Sequence, residues 1–247
     1  MTMPTPPDEA ASMAAVEFAC SLVASWHAAL GSELLGVYLI GSLAHGGFSR
    51  RYSDVDMAVV AENGLTPDLI EHVRAEATAL SPEWGPKVSV FWTDRRFVVG
   101  RFPPLDRIDY LERPVVLLER ERVQAARPTL AEIRTYLRGA PFANWAERAR
   151  AFASAPALDP KDRKPYLRAL LYPARFCYAY TSGRMGSNDD AVDFLQEHPP
   201  AGLDITSIEQ ALACRRAAAD PDSLFALRSV LPAQVAVCAA LIARHTS

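Results

Sequence analysis

Two carboxylates one residue apart, Asp54 and Asp56, follow a glycine–serine pair, Gly41-Ser42, in the segment LLGVYLIGSLAHGGFSRRYSDVDMAVVA. Glycine lets a ligand come close to the backbone, and the Ser42 hydroxyl with neighbouring N–H groups suits phosphate oxygens. Side chains alternate along a strand, so Asp54 and Asp56 project from one face while Val55 turns into the core. Carboxylates held side by side in this way form a claw for a hard cation such as magnesium, which prefers oxygen ligands and shares them with substrate phosphates. The plainer alternative is an ordinary Gly46-Gly47 turn followed by two solvated acids. It accounts for each residue alone but not for strand, Gly-Ser stop, glycine pair, Ser53 and acid pair arriving in order.

The elements that must position these residues are legible around them. Leu34 to Ile40 and Val55 to Ala61 are apolar runs of strand length, Val88 to Trp92 is a third and Pro114 to Leu118 a fourth. Ahead of them Asp8 caps a helix running to about Leu30, with Ala15, Phe18, Leu22 and Trp26 at helical spacing and Gly31 closing it. Thr66 or Asp68 starts another helix through Leu80. The order helix, strand, strand, helix, strand, loop, strand implies a small mixed sheet covered by helices, with strand directions open.

Beyond about Thr129 the strand signal ends. Leu130 to Leu137, Trp145 to Ala153, Pro165 to Thr181, Asp189 to Gln196, Ser207 to Ala218 and Ser223 to Arg244 all fit helices, separated by proline breakers. The fold class expected is α+β: a mixed-sheet domain over residues 1–125, then an all-helical domain over 126–247.

Bulk properties narrow the chemistry. The 247 residues carry a formal net charge of -3, which disfavours a polynucleotide partner and favours a small substrate. Cys20, Cys177, Cys214 and Cys238 are scattered singly and read as buried small hydrophobes; the five histidines are dispersed, so oxygen rather than zinc-type ligation is expected. The start of the chain lacks a signal-peptide pattern and no apolar stretch reads as long enough to span a bilayer, so a cytoplasmic protein without membrane association is expected.

The pattern G-S-x(11)-D-x-D resembles the nucleotidyltransferase superfamily that includes DNA polymerase β and the antibiotic adenylyltransferases. The stretch YPARFCYAYTSGRMGSNDDAVDFLQEHPP also resembles the helical domain of streptomycin/spectinomycin adenylyltransferases. The resemblance implies transfer of AMP from ATP, with magnesium, to a hydroxyl of a small aminoglycoside-like acceptor in a cleft between the domains. It makes Asp54 and Asp56 the metal ligands, Gly41, Ser42 and Ser53 the phosphate loop, and Arg175 a helical arginine that reaches ATP. Arg168, Tyr172 and Arg175 fall on one helix face, leaving Leu167, Leu170 and Leu171 for packing.

The chain also departs from that pattern. Where the superfamily places a third carboxylate, acting as general base, PKVSVFWTD has Lys87; Ser89 and Phe91 share its face, and Glu83 and Asp94 flank the strand. Lys87 is open to three readings: an ion pair with Asp54 or Asp56 in place of a second metal, a base of lowered proton affinity, or a solvent-directed side chain. Asn188 replaces a phosphate-binding lysine, with Arg184 nearby as a substitute. The acids expected to hold the antibiotic are absent from DPKDRKPYLR, where Asp159 and Asp162 are out of register. Two functional classes follow: a magnesium-dependent nucleotidyltransferase, or a nucleotide-binding relative without a general base that works as a binding or regulatory module.

Overall fold

The computed structural model describes residues 9–217 and 221–245. Asp8, the expected cap of the first helix, lies outside them, as does Ala218. The chain divides into two compact units, the first ending at Pro128 and the second beginning at Thr129.

The first unit is a five-stranded mixed sheet with helices on both faces, so the chain is α+β. Its elements are α1 (Glu9–Leu30), β1 (Leu34–Leu39), α2 (Ser42–His45), β2 (Val55–Ala61), α3 (Pro67–Leu80), β3 (Val88–Asp94), β4 (Gly100–Arg101), α4 (Pro104–Glu112) and β5 (Val115–Glu119). The strand order is β4-β3-β2-β1-β5. Only β2 and β3 are parallel, starting side by side with Val55 opposite Val88 and Asp56 opposite Ser89; the other pairs are antiparallel.

Central strands covered on both faces read as unbroken apolar runs, and every residue of β1 is buried. In β2 only Asp56 interrupts the burial. Val55, Met57, Val59 and Ala61 face one core with Phe18, Leu22 and Trp26 of α1 and Val73 and Ala77 of α3. Removing side chains such as Phe18 and Leu22 from water stabilises by about 1.5–3 kcal/mol each. Ala58 and Val60 face a second core with Tyr38, Ile40 and Tyr110. By alternation Asp56 belongs to this second face, the one α4 covers.

Several expectations need correction. The stretch read as a loop between the third and fourth strands holds β4 and α4. Pro104 sits in the first turn of α4, where its missing N–H costs no hydrogen bond. The Gly-Ser turn contains the single helical turn α2, while Gly31, at φ +54° directly after Leu30, closes α1 as expected and also begins a 3-10 turn. Thr66 is the cap of α3, its hydroxyl accepting from Leu69 N–H at 3.3 Å.

The segments Glu9–Glu33 and Asp222–Ala243 are long and apolar enough, by composition, to cross a membrane, with mean hydropathies of 1.4 and 1.8. That corrects the expectation of no such stretch. In the structure α1 lays its buried face, Ala15, Phe18, Ala19, Leu22 and Trp26, on the sheet core.

The second unit is helical among its described residues: α5 (Leu130–Arg138), α6 (Ala140–Ser154), α7 (Arg163–Ser182), α8 (Asn188–Glu197), α9 (Ile205–Arg216), α10 (Pro221–Ala226) and α11 (Leu231–Ala243). Thr129 with Glu132 and Ser187 with Asp190 form capping boxes at α5 and α8. Pro173 lies inside α7 and cannot donate to the Ala169 carbonyl one turn back. The Trp145 indole N–H donates to that oxygen instead, at 2.9 Å. The single helix expected over Ser223 to Arg244 is two, joined by a 3-10 turn over Leu227–Val230, because Pro232 cannot donate to the Arg228 carbonyl. Of the cysteines, Cys177 and Cys238 are buried, but Cys20 is exposed and Cys214 half-buried. The spacing in α1 places Cys20 beside the buried stripe, not in it.

Candidate functional site

The connection between β1 and β2 is far longer than a hairpin between adjacent antiparallel strands requires, and long loops of this kind concentrate function. It leaves the ladder at Ile40, whose N–H still donates to the Asp56 carbonyl at 3.0 Å. Gly41 then takes φ +67° and ψ -145°, a conformation that side chains rarely adopt. A Cβ added there would lie 2.6 Å from Asp56 Oδ2. The glycine is therefore required twice, by its backbone and by the carboxylate lying against it.

The loop is braced from within. The N–H groups of Ala44 and His45 donate to the Gly41 carbonyl at 3.0 and 2.9 Å, closing α2. Gly46 and Gly47, both at positive φ, turn the chain toward Phe48, which is buried against Trp84. Ser53 is only 3% exposed, and its hydroxyl accepts from Ser49 N–H at 2.9 Å while its own N–H donates to the Ser49 carbonyl at 2.8 Å. This turn delivers Asp54, partly exposed, to the start of β2.

Lys87 ends the 3-10 turn Gly85–Lys87 just before β3. Its Nζ donates to the Arg50 carbonyl at 2.7 Å and lies 4.5 Å from the centre of the Trp84 ring. Both contacts suit a charged ammonium. The reading in which Lys87 points into solvent is corrected: it reaches back and ties down the loop that carries Ser53 and Asp54. A carbonyl so distant in sequence leaves no local signal.

The two acids flanking β3 are committed elsewhere. Glu83 accepts both arms of the Arg50 guanidinium fork at 2.6 and 2.9 Å, and the Arg50 hydrogen bond holds its carboxyl below the usual carboxylate range. Asp94 accepts from Val98 and Val99 N–H at 2.8 and 3.0 Å, capping the turn into β4. Desolvation raises its proton affinity, but the N–H groups of Val99, Val98 and Arg96 outweigh it and leave the pKa lowered. A general base working near neutrality needs a shift the other way.

Sequence reasoning missed a pair beneath the loop. His45 Nε2 lies 2.9 Å from Asp109 Oδ2 on α4, with both side chains 3% exposed. Asp109 stood in the stretch read as a loop; the apolar positions Leu105, Ile108 and Leu111 carry a helical spacing that would have revealed α4.

Arg175 and Arg184 belong to the second unit. Arg175 is exposed on α7, beside Arg168 at the helical spacing expected, while Leu167, Leu170 and Leu171 are buried. Arg184 is exposed between α7 and α8, its N–H donating to Ser182 Oγ at 3.2 Å. Asn188 is the first residue of α8.

The α+β arrangement, a mixed sheet followed by an all-helical unit, is shared with a solved adenyltransferase. Among solved structures the chain is similar to the spectinomycin adenyltransferase of Enterococcus faecialis, determined with ATP and spectinomycin: TM-score 0.62, 12% identity, covering 89% of this chain and 98% of that one. No family model matches the sequence. No curated protein matches it either.

Proposed function

We propose that the protein is a magnesium-dependent nucleotidyltransferase that transfers AMP from ATP to a hydroxyl of a small, aminoglycoside-like acceptor. The observation that carries this reading is the fit of Gly41 against the Asp56 carboxylate. A cradle that any Cβ would fill lies directly beside one of two oxygen-ligand residues. The donor set suits magnesium, which takes one or two carboxylates and completes its shell from phosphates and water. No group of three or more His, Cys, Asp or Glu that could hold a metal ion occurs among the described residues. Asp54 and Asp56 would hold the ion and the Gly41-Ser42 turn the phosphates, with Ser53 shaping the loop. Bound magnesium would neutralise charge developing on the phosphate during in-line attack.

Arg175 and Arg184 are proposed nucleotide contacts from the second unit, supported by their exposure and by the adenyltransferase fold. The relative of known structure binds ATP and spectinomycin, which supports a small acceptor over a polynucleotide. A net charge of -3 agrees. A cytoplasmic location is proposed with it.

One observation favours a second reading, a nucleotide-binding module of weak or no transferase activity. Lys87, Glu83 and Asp94 are each engaged in holding a loop or turn, leaving none of them poised as a general base, a group that usually supplies about 10² to 10⁴ in rate. Pyrophosphate release from ATP, measured with a panel of aminocyclitols, separates the two. Acceptor-dependent release supports transfer, and nucleotide binding without release supports the module.

A further inference from the structure

We propose that His45 and Asp109 form a buried latch that clamps the glycine loop onto α4 and sets its shape for nucleotide; the inference rests on the function proposed above. His45 is the last residue of α2, so its side chain leaves the loop at the end opposite Gly41. Asp109 lies on α4 between Ile108 and Tyr110, all three buried. Tyr110 packs with Tyr38, Ile40, Ala58 and Val60 on the sheet face to which Asp56 belongs. Through His45 and Asp109 the loop is thus fastened to the layer covering the face that bears the proposed metal ligand. One end of α2 is fixed by the Gly41 contact with Asp56 and the other by this pair.

The pair is not explained by stability alone. Two ionisable side chains at 3% exposure have lost nearly all their water. Among the described residues His45 Nδ1 and Asp109 Oδ1 have no hydrogen-bond partner, and the 2.9 Å approach of Nε2 to Oδ2 lies off the direction of a hydrogen bond. A buried pair so incompletely satisfied is no better for stability than well-packed apolar side chains, whereas removing one member strands the other. Its attested use is to fix one arrangement among several, here the position of the loop relative to α4. His45 and Asp109 are therefore positioning residues that act through the loop.

The test compares wild type with His45→Asn, Asp109→Asn and the double variant. Thermal denaturation establishes that each is folded, and His45→Gln replaces any single variant that is not. Amide hydrogen exchange without ligand, then calorimetry with Mg·ATP, gives the two readouts. The latch predicts that exchange over residues 41–47 quickens in each single variant while β1, β2 and β3 keep their protection. The double variant should be no looser than the singles, since one contact is broken only once. Mg·ATP affinity should weaken by roughly ten- to a hundred-fold, the scale of a small misplacement away from the chemistry. Unchanged exchange over 41–47, or an equal increase throughout the unit, would overturn the latch. Selective loosening in the variants with no Mg·ATP binding by wild type would uphold the latch and overturn the nucleotide reading.

Discussion

The parallel strands β2 and β3 begin side by side, yet their first residues do different things. At the head of β2, Asp54 and Asp56 flank the buried Val55, and the backbone of Gly41 lies against the second carboxylate. At the head of β3 the corresponding edge carries Lys87, whose ammonium reaches the Arg50 carbonyl and the Trp84 ring. One strand carries the proposed oxygen ligands, and its neighbour stabilises the loop that precedes them. A sheet edge can thus keep the groups that would bind metal and nucleotide while the adjacent position, where a base is expected from the resemblance, has become a strut. Binding and turnover are separable properties in such a site.

The comparison is broken most severely at Gly41. Gly41→Ala forces a side chain into a positive-φ conformation, costing about 1–3 kcal/mol, and drives its Cβ onto Asp56 Oδ2. Chemical denaturation should register that loss, and Mg·ATP binding should fall below detection in calorimetry. Wild-type affinity in this variant would show that loop and carboxylate are not one site.

A smaller effect sharpens the contrast at β3. Lys87→Met keeps the packing on Trp84 but removes the donor to Arg50, and should cost about 0.5–1.5 kcal/mol of stability. The magnesium dependence of nucleotide binding should persist. A several-fold rise in magnesium affinity would instead place the ammonium next to the bound ion, since like charges at about 4 Å repel by some 4 kcal/mol at an effective dielectric near 20.

The smallest effect concerns the far end of β3. The carboxyl of Asp94 has a lowered pKa in the folded state, so its contribution to stability is present above the unfolded-state value of about 3.9 and lost as pH falls through the folded value. Asp94→Asn should lower the melting temperature slightly at neutral pH, with the gap to wild type closing below about pH 4. A gap independent of pH would mean that the turn is not held by the charged carboxylate.

Why one strand head could be read from sequence and the other could not is a matter of range. The placement of Asp54 and Asp56 at the head of β2 follows from period-two alternation and an adjacent glycine, both local, and the sheet core of β1 and β2 follows from their apolar runs. The mixed direction of the strands is set by which element crosses over, which the runs do not encode. The role of Lys87 depends on a carbonyl 37 residues away, and the His45–Asp109 pair on the docking of α4. That helix fell in the stretch read as a loop, where its nine residues offer only a short apolar period. In the second unit the breakers divided the helices well, but Arg175 and Arg184 were singled out through resemblance, because an exposed arginine on a helix carries no signature of its own.

The central claim is that Gly41, Asp54 and Asp56 make one magnesium and nucleotide site, and calorimetry of ATP binding with and without magnesium tests it most directly, on wild type, Asp54→Ala and Asp56→Ala. Magnesium should strengthen ATP binding to the wild type, and either substitution should abolish that strengthening while leaving the protein folded. Magnesium-dependent ATP affinity that survives both substitutions would contradict the claim.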